Sequence, residues 1–392
     1  MTDGPTSAIG ADDRLSLAFL GDPNSIHLRR WVSYFAGRGH RVTLLVPRDK
    51  VVEPGLPATV AVEPFTHFAT GRRVTPASLL RGRRSVRRAV ARVHPDVLNA
   101  HFLTVHGWNA WMSGFHPYVV TLWGSDVLLH PKESRVAAFL ARITLRAADM
   151  VMVNSGMLMR GALAAGASPE RTEMVQFGVD LTQFTPGPDP AALRARLGLQ
   201  GRRVIFSPRG ITPLYRHGVV IEALSAMPSD VVVLMSRFRA QPDELTKIER
   251  QAEALGLSDR VMMVPEIEHP EMPAFYRLAD VVVSVPVSDS TAVTNLEALA
   301  CGRPIVAADL PSVREWLGEL DNAILVPVDD VEATAAALRQ VLDQRPEIKA
   351  ERGLRARSIV VERADQARSL ARVESLYLDL VRRRARNGGE VR

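Results

Sequence analysis

Cysteine is almost absent: Cys301 stands alone in 392 residues. An internal disulfide framework is therefore excluded, and a cysteine metal site lacks partners. This suits a reducing cytoplasm, the expected location. Cys301 lies at the end of an apolar helix and reads as a small buried hydrophobe. Aromatic residues make up only 6%, and no aromatic-rich basic sheet, zinc spacing or readout helix speaks for nucleic-acid binding. No apolar run approaches the roughly 18 residues needed to span a bilayer. There is no GxGxxG fingerprint and no P-loop. Residues Met1–Asp13 lack a basic segment followed by an apolar one. They read as a disordered tail rather than a signal peptide.

What is present points to a globular protein of two domains. Hydrophobic residues make up 46% and charged residues 23%, with a net charge of +6, which favours anionic partners. Short apolar runs ending in polar residues alternate with helical stretches. The strands are Leu15–Gly21, Arg41–Pro47, Asp96–His101, Tyr118–Leu122 and Met150–Asn154. Ser25 is the expected N-cap of a helix over Ile26–Arg38, and another helix is expected over Glu133–Ala148. A Pro/Gly-rich break, Phe184–Pro190, is the expected linker. Alternation restarts with strands at Arg203–Ser207, Val231–Ser236, Arg260–Val264, Val281–Val285 and Pro304–Ala307. Strand–helix–strand repetition implies parallel sheets covered on both faces. The expected division is a tail at 1–13, domains at 14–185 and 186–364, and a C-terminal helix at 365–392. That helix either packs on its own domain or crosses back to the first.

Ligands of open α/β sheets bind at the carboxyl ends of strands, so the residues after each strand are the candidates. In the first half these are Gly21 and Asp22, His101, and Trp123-Gly124-Ser125-Asp126. His101 can serve a substrate hydroxyl, or be a core histidine bonded to a backbone carbonyl. Asp126 can accept from sugar hydroxyls or cap a helix. In the second half Arg209, then Tyr215, Arg216 and His217, form an anion-binding corner. The segment Pro286–Gly302, PVSDSTAVTNLEALACG, is the most informative. Asp289 and Glu297 flank a Ser-Thr-Ala-Val loop at a helix start, where loop amides and the helix dipole suit a diphosphate. Each carboxylate then has its own hydroxyl partners, and an unpaired Glu297 in so apolar a helix would be costly.

This segment resembles the E-x7-E motif of retaining, GT-B-fold glycosyltransferases of family 4, where Glu297–Val306 matches the run "EAMACGxPVV". Gly178-Val179-Asp180 with Phe184 and Pro186, Asn99–Phe102, Trp123–Asp126 and Asp309–Pro327 are similar to further motifs of that family, in order. The resemblance implies two Rossmann-like, doubly wound domains facing a central cleft. It implies transfer, with retention, of a sugar from a UDP- or GDP-sugar to an acceptor glycan, lipid-linked glycan or small molecule, without cofactor or metal. By this resemblance Glu297 binds the ribose and Asp289 the donor sugar. Arg209, with Ser290, Thr291 and Ala292, takes the diphosphate, and His101 lies near the reacting sugar. Gly21, Asp22, His101, Trp123 and Asp126 face the acceptor. The chain departs from the pattern in having Asp289 for the first Glu, Leu214 for the phosphate Lys and Trp123 for a His. Arg216 or His217 is the expected substitute for the Lys. Trp123 either stacks on an acceptor sugar or fills space.

Three other readings remain open at this level: a sugar-nucleotide epimerase of the same fold, a basic nucleic-acid-binding protein, and peripheral contact with the inner membrane face. The last rests on the arginine-rich Arg72–Arg92 region, where Leu79, Leu80, Val86, Val90 and Val93 sit among the arginines.

Overall fold

The computed structural model describes residues 13–67 and 75–389. The expected tail, all but Asp13, and Arg72 and Arg73 of the arginine-rich region lie outside these residues. The chain divides into two compact units. Unit 1 comprises the residues up to Phe177 together with those from Ala367 onward, and unit 2 is Gly178–Gln366.

Unit 1 holds a seven-stranded parallel sheet: β1 Ser16–Leu20, β2 Arg41–Pro47, β3 Ala61–Phe65, β4 Val97–His101, β5 Tyr118–Thr121, β6 Met150–Val153 and β7 Thr172–Met174. Their order is β3-β2-β1-β4-β5-β6-β7. Alternate residues feed the two cores. In β1, Leu17 and Phe19 pack on one face with Trp31 and Phe35, while Ala18 and Leu20 pack on the other with Val86 and Val120. Burial on both faces is why the central strands are continuous apolar runs. Edge strands β3 and β7 are not. The first carries Glu63 and Pro64, and the second is only three residues long. Both went unpredicted for that reason.

Unit 2 repeats the plan with six parallel strands: β8 Arg203–Ser207, β9 Val231–Ser236, β10 Val261–Val264, β11 Val281–Ser284, β12 Ile305–Ala308 and β13 Ala323–Val326. Their order is β10-β9-β8-β11-β12-β13. In each sheet the strand order reverses once, between β1 and β4 and between β8 and β11. These switch points open a crevice at the strands' carboxyl ends, where doubly wound folds bind ligands.

One expectation about division changes, and one open alternative is decided. The Pro-rich stretch is not the boundary: Phe184 is fully buried in the core of unit 2 against Tyr276, and Arg357 donates to its carbonyl at 2.8 Å. The chain instead enters unit 2 beside the place where it leaves. Val179 N–H donates to Ala364 O (2.8 Å) and Gln366 N–H to Val179 O (3.1 Å). Gly178 sits at φ +71°, and a Cβ there would lie 2.6 Å from the Gln366 backbone, so only glycine fits. The last helix, Gln366–Gly389, belongs to unit 1. Leu370, Val373, Leu376 and Tyr377 are buried in the cluster that holds Trp31 and Phe35. Beside them the buried Glu374 accepts from His40 (2.8 Å) and pairs with Arg38 (3.2 Å).

Ser25 occupies the N-cap position of the Ile26–Gly37 helix without a side-chain cap bond. The expected 133–148 helix is broken at Ser134, whose hydroxyl caps a helix over Arg135–Ala147.

Candidate active site

In unit 2 the switch point brings together residues far apart in sequence. Arg209 follows β8 and is buried. Its Nη2 donates to Asp289 Oδ2 at 2.7 Å, its Nη1 donates to Thr294 Oγ1 at 2.7 Å, and its guanidinium lies 4.2 Å above the Tyr215 ring. Burial opposes charge on both partners. For Arg209, burial is the largest single influence, but Asp289, Tyr215 and Tyr276 together outweigh it and hold the guanidinium above its ordinary value. Asp289, in contrast, is held above the ordinary carboxylate range by burial despite Arg209. A guanidinium carries five N–H donors, of which Asp289 and Thr294 each take one.

Asp289 follows β11. Its Oδ1 accepts from Ser290 N–H (2.9 Å), and its carbonyl accepts from Ser312 Oγ (2.7 Å). The Ser290 amide expected on a diphosphate is therefore bonded to Asp289 in this conformation. Thr291 Oγ1 accepts from Trp316 Nε1 (3.2 Å), and Ala292 is the N-cap residue of the Val293–Ala300 helix. Glu297, one turn into that helix, is buried. It accepts from the Tyr276 hydroxyl at 3.0 Å and lies 3.6 Å from His269 Nε2. Burial and the adjacent Glu297 hold the Tyr276 phenol far above its usual range, so it stays a donor.

Two expected phosphate ligands are placed otherwise. Arg216, in a left-handed backbone conformation, pairs with Asp329 (3.0 Å). His217 is fully buried: its ring bonds Gly210 O (3.0 Å) and Ser207 Oγ (3.3 Å), and burial pushes its pKa down to about 4. It is a neutral brace for the Arg209 loop.

In unit 1 the switch point joins Gly21, after β1, with His101, at the end of β4. A Cβ on Gly21 would meet Leu28 Cδ2 at 2.5 Å and His101 Cβ at 3.4 Å, so packing explains this glycine. Asp22 Oδ1 accepts from Asn24 N–H (3.1 Å) in a local turn. His101 is buried with its ring edge-on to Trp31, 4.7 Å between centroids. Among the described residues neither ring nitrogen finds a hydrogen-bond partner. The core-histidine alternative, which needs a backbone carbonyl, does not apply, and such an orphaned polar group calls for a ligand or water. Burial, with His106 and His27 nearby, pushes its pKa down to about 3. At neutral pH His101 is an uncharged donor-acceptor.

Asp126 departs from expectation. It is fully buried, and its carboxylate accepts backbone N–H groups of Leu103 (2.9 Å), Gly124 (2.8 Å) and Trp123 (3.2 Å). No sugar hydroxyl reaches it in this arrangement; it ties the loop after β4 to the loop after β5. The first of these loops is strained, with Phe102 at φ 82° and Val105 at φ 61°. It also carries His106, which was not among the expected site residues; burial pushes its pKa down to about 4. Trp123 is half-buried, stacks on His27 (4.6 Å, 27°) and packs against Phe177 (4.4 Å). Thr294, Tyr276 and His269 were likewise not anticipated. Their only signal was the polar side chains flanking the named motifs. Among the described residues no three His, Cys, Asp or Glu side chains converge as a metal cluster.

Two doubly wound parallel sheets, each with a polar cluster at its switch point, define the GT-B architecture of sugar-transferring enzymes. Residues 16–155 match the family described as "Glycosyl transferase 4-like", and residues 191–358 match "Glycosyl transferases group 1". The chain belongs to this family of glycosyltransferases. Among curated relatives it is similar to D-inositol 3-phosphate glycosyltransferase of Geodermatophilus obscurus: 34% identical over 190 residues, 46% of this chain and 42% of that one. The protein of the same name from Mycobacterium sp. strain JLS is 34% identical over 206 residues, 51% and 46% of the two chains. The chain thus spans about half the length of the curated relatives it matches. Among solved structures, sucrose-phosphate synthase from Thermosynechococcus elongatus shares the fold at TM-score 0.79 and 18% identity, covering 93% of this chain and 98% of that one. Anabaena HepE in complex with UDP-glucose does so at TM-score 0.75 and 21% identity, covering 93% and 100%.

Proposed function

We propose that this chain transfers a sugar, with retention, from a nucleotide-diphosphate sugar to an acceptor hydroxyl. The observation that carries the reading is the constellation at the unit 2 switch point: a buried Arg209 held by Asp289 and Thr294, beside a buried Glu297 held by Tyr276. Arg209 presents permanent charge to the leaving diphosphate, where negative charge grows as the sugar departs. Amides of Ser290, Thr291 and Ala292 assist once Asp289 releases Ser290 to the ligand. Glu297 accepts from the ribose hydroxyls and Asp289 from the sugar. Arg216 reaches the phosphates only by leaving Asp329. UDP is the first donor base to test, because a solved structure of this fold carries UDP-glucose; GDP is the second. The acceptor side lies in unit 1 around Gly21, Asp22 and His101. His101, being uncharged, orients the acceptor hydroxyl by hydrogen bonding.

The enzyme works in the cytoplasm in this reading. Among the described residues no helix is long and apolar enough to cross a membrane. Contact with the inner membrane face through the Arg72–Arg92 region is then electrostatic only. Val86, Ala89 and Val90 of the Pro76–Val93 helix are spent in the core and cannot insert.

The test is a panel of nucleotide sugars screened by thermal shift, then transfer assays with acceptors that include inositol phosphate, the relatives' namesake. Glu297→Ala and Arg209→Ala should each reduce transfer to a small residual. Near-normal turnover in either purified variant, or epimerisation of the donor without any acceptor, overturns the proposal.

A further inference from the structure

A groove of about 520 Å³ runs along unit 1, away from its switch point. It is lined by Arg48, Thr66, Ala77, Leu80, Arg81, Arg84, Ser85, Arg88 and Arg92. One wall is the exposed face of the Pro76–Val93 helix, whose start is fixed by a reciprocal Thr75–Ser78 capping box. The other is the carboxyl end of β2 and β3, where Thr66 N–H donates to Ser85 Oγ at 2.8 Å and closes the floor.

Arg81, Arg84, Arg88 and Arg92 are spaced by three and four residues, so they form one row on one helix face. At about 1.5 Å of rise per residue the row extends about 16 Å. Arg48 faces it from a different element. No acidic side chain lines the groove, and only Arg92 of the five has an ion-pair partner, Glu63, among the described residues. So many like charges along one groove repel one another unless something anionic occupies it. A single phosphate is too small to engage a row of that length. Among the described residues the lining has no aromatic ring on which a base could stack, unlike single-stranded nucleic-acid channels. Insertion into a bilayer would need outward apolar residues, and Leu80 is the one large exposed hydrophobe of the helix.

We propose that this groove binds an extended acidic glycan, a sugar chain carrying a carboxylate or phosphate at successive positions, and that this chain is the acceptor or its leader segment. The proposal rests on the reading that unit 1 holds the acceptor.

The test titrates the full chain by calorimetry at low salt with an oligogalacturonate, a glycerol-phosphate oligomer and orthophosphate. Both oligomers, or one of them, should bind, with the binder telling carboxylate from phosphodiester; orthophosphate should not. Arg84→Ala/Arg88→Ala should weaken binding by about tenfold or more, the scale of two lost exposed charge-assisted contacts. Arg84→Lys/Arg88→Lys should recover part of it. UDP binding should be the same in all three proteins, which keeps this outcome separate from the donor-site reading. Three results overturn the groove: equal oligomer binding by the alanine variant, tighter binding of a single-stranded oligonucleotide than of either oligomer, or arginine-dependent binding of phosphatidylglycerol vesicles without oligomer binding.

Discussion

The Tyr276 hydroxyl stands 3.0 Å from Glu297 Oε2, and both side chains are buried. Glu297 is thereby an oriented acceptor rather than a stranded charge, although the two residues lie on different helices. Tyr276→Phe removes this donor and leaves the carboxylate to face burial with less support. UDP affinity should fall roughly tenfold, corresponding to about 1.4 kcal/mol. Calorimetric titration with UDP reads the effect directly, and an unchanged affinity would show that Glu297 does not grip the nucleotide.

The Arg209–Asp289 pair should behave asymmetrically. Removing one partner of a buried ion pair strands the other, at a cost of about 3–5 kcal/mol. Arg209→Ala should therefore lower stability as well as activity, whereas Arg209→Met/Asp289→Leu should regain much of the stability and none of the transfer. Urea denaturation beside a transfer assay separates the two effects. A double variant with appreciable transfer would remove the pair from the mechanism.

Acid should weaken the fold through histidines that desolvation keeps neutral, His101 and His217 buried and His106 half-buried. His101, His106 and His217 have pKa values pushed down to about 3, 4 and 4, against an ordinary 6.5. The unfolded chain takes up these protons as pH falls below 6.5, and the native chain does not. The stability they allow is complete above that value and is lost as pH falls toward 3–4. Each contributes a loss of about 1.4 kcal/mol per pH unit. His101→Phe should therefore lose about 2 kcal/mol less than the parent between pH 7 and 5, measured by urea midpoints at both values. Parallel losses in the two proteins would contradict the buried, neutral assignment.

Asp126→Asn tests the clamp on the strained loop. The carboxylate serves three backbone donors, and an asparagine turns an N–H₂ toward one of them. A stability loss of about 2–4 kcal/mol is expected from the unmet amide. Because the loop neighbours His101, kcat should fall while the donor KM holds. A higher donor KM with normal kcat would place Asp126 elsewhere in the cycle.

The central strands were legible because a parallel strand buried on both faces must be apolar throughout, as Val231–Ser236 and Val281–Ser284 are. β3 escaped notice because an edge position tolerates Glu63 and Pro64. The boundary was misplaced because Phe184-Thr185-Pro186-Gly187 looks like a linker locally, whereas the burial of Phe184 depends on Tyr276, far along the chain. The same distinction governs the site. Arg209 and Asp289 were picked out because they follow strands, and Glu297 because a carboxylate in so apolar a helix needs a partner. Thr294 and Tyr276 acquire meaning only through partners brought near by the fold. Asp126 was misjudged because an exposed sugar ligand and a buried amide clamp have the same sequence appearance.

The chain leaves unit 1 at Phe177 and returns to it at Ala367. During synthesis, the earliest-made half must therefore wait, lacking Tyr377 against Phe35 and the carboxylate that quiets His40 and Arg38. Unit 2, whose residues are contiguous, can mature on the ribosome before the half that precedes it. A premature stop before Tyr377 would cripple the first-translated segment rather than the last.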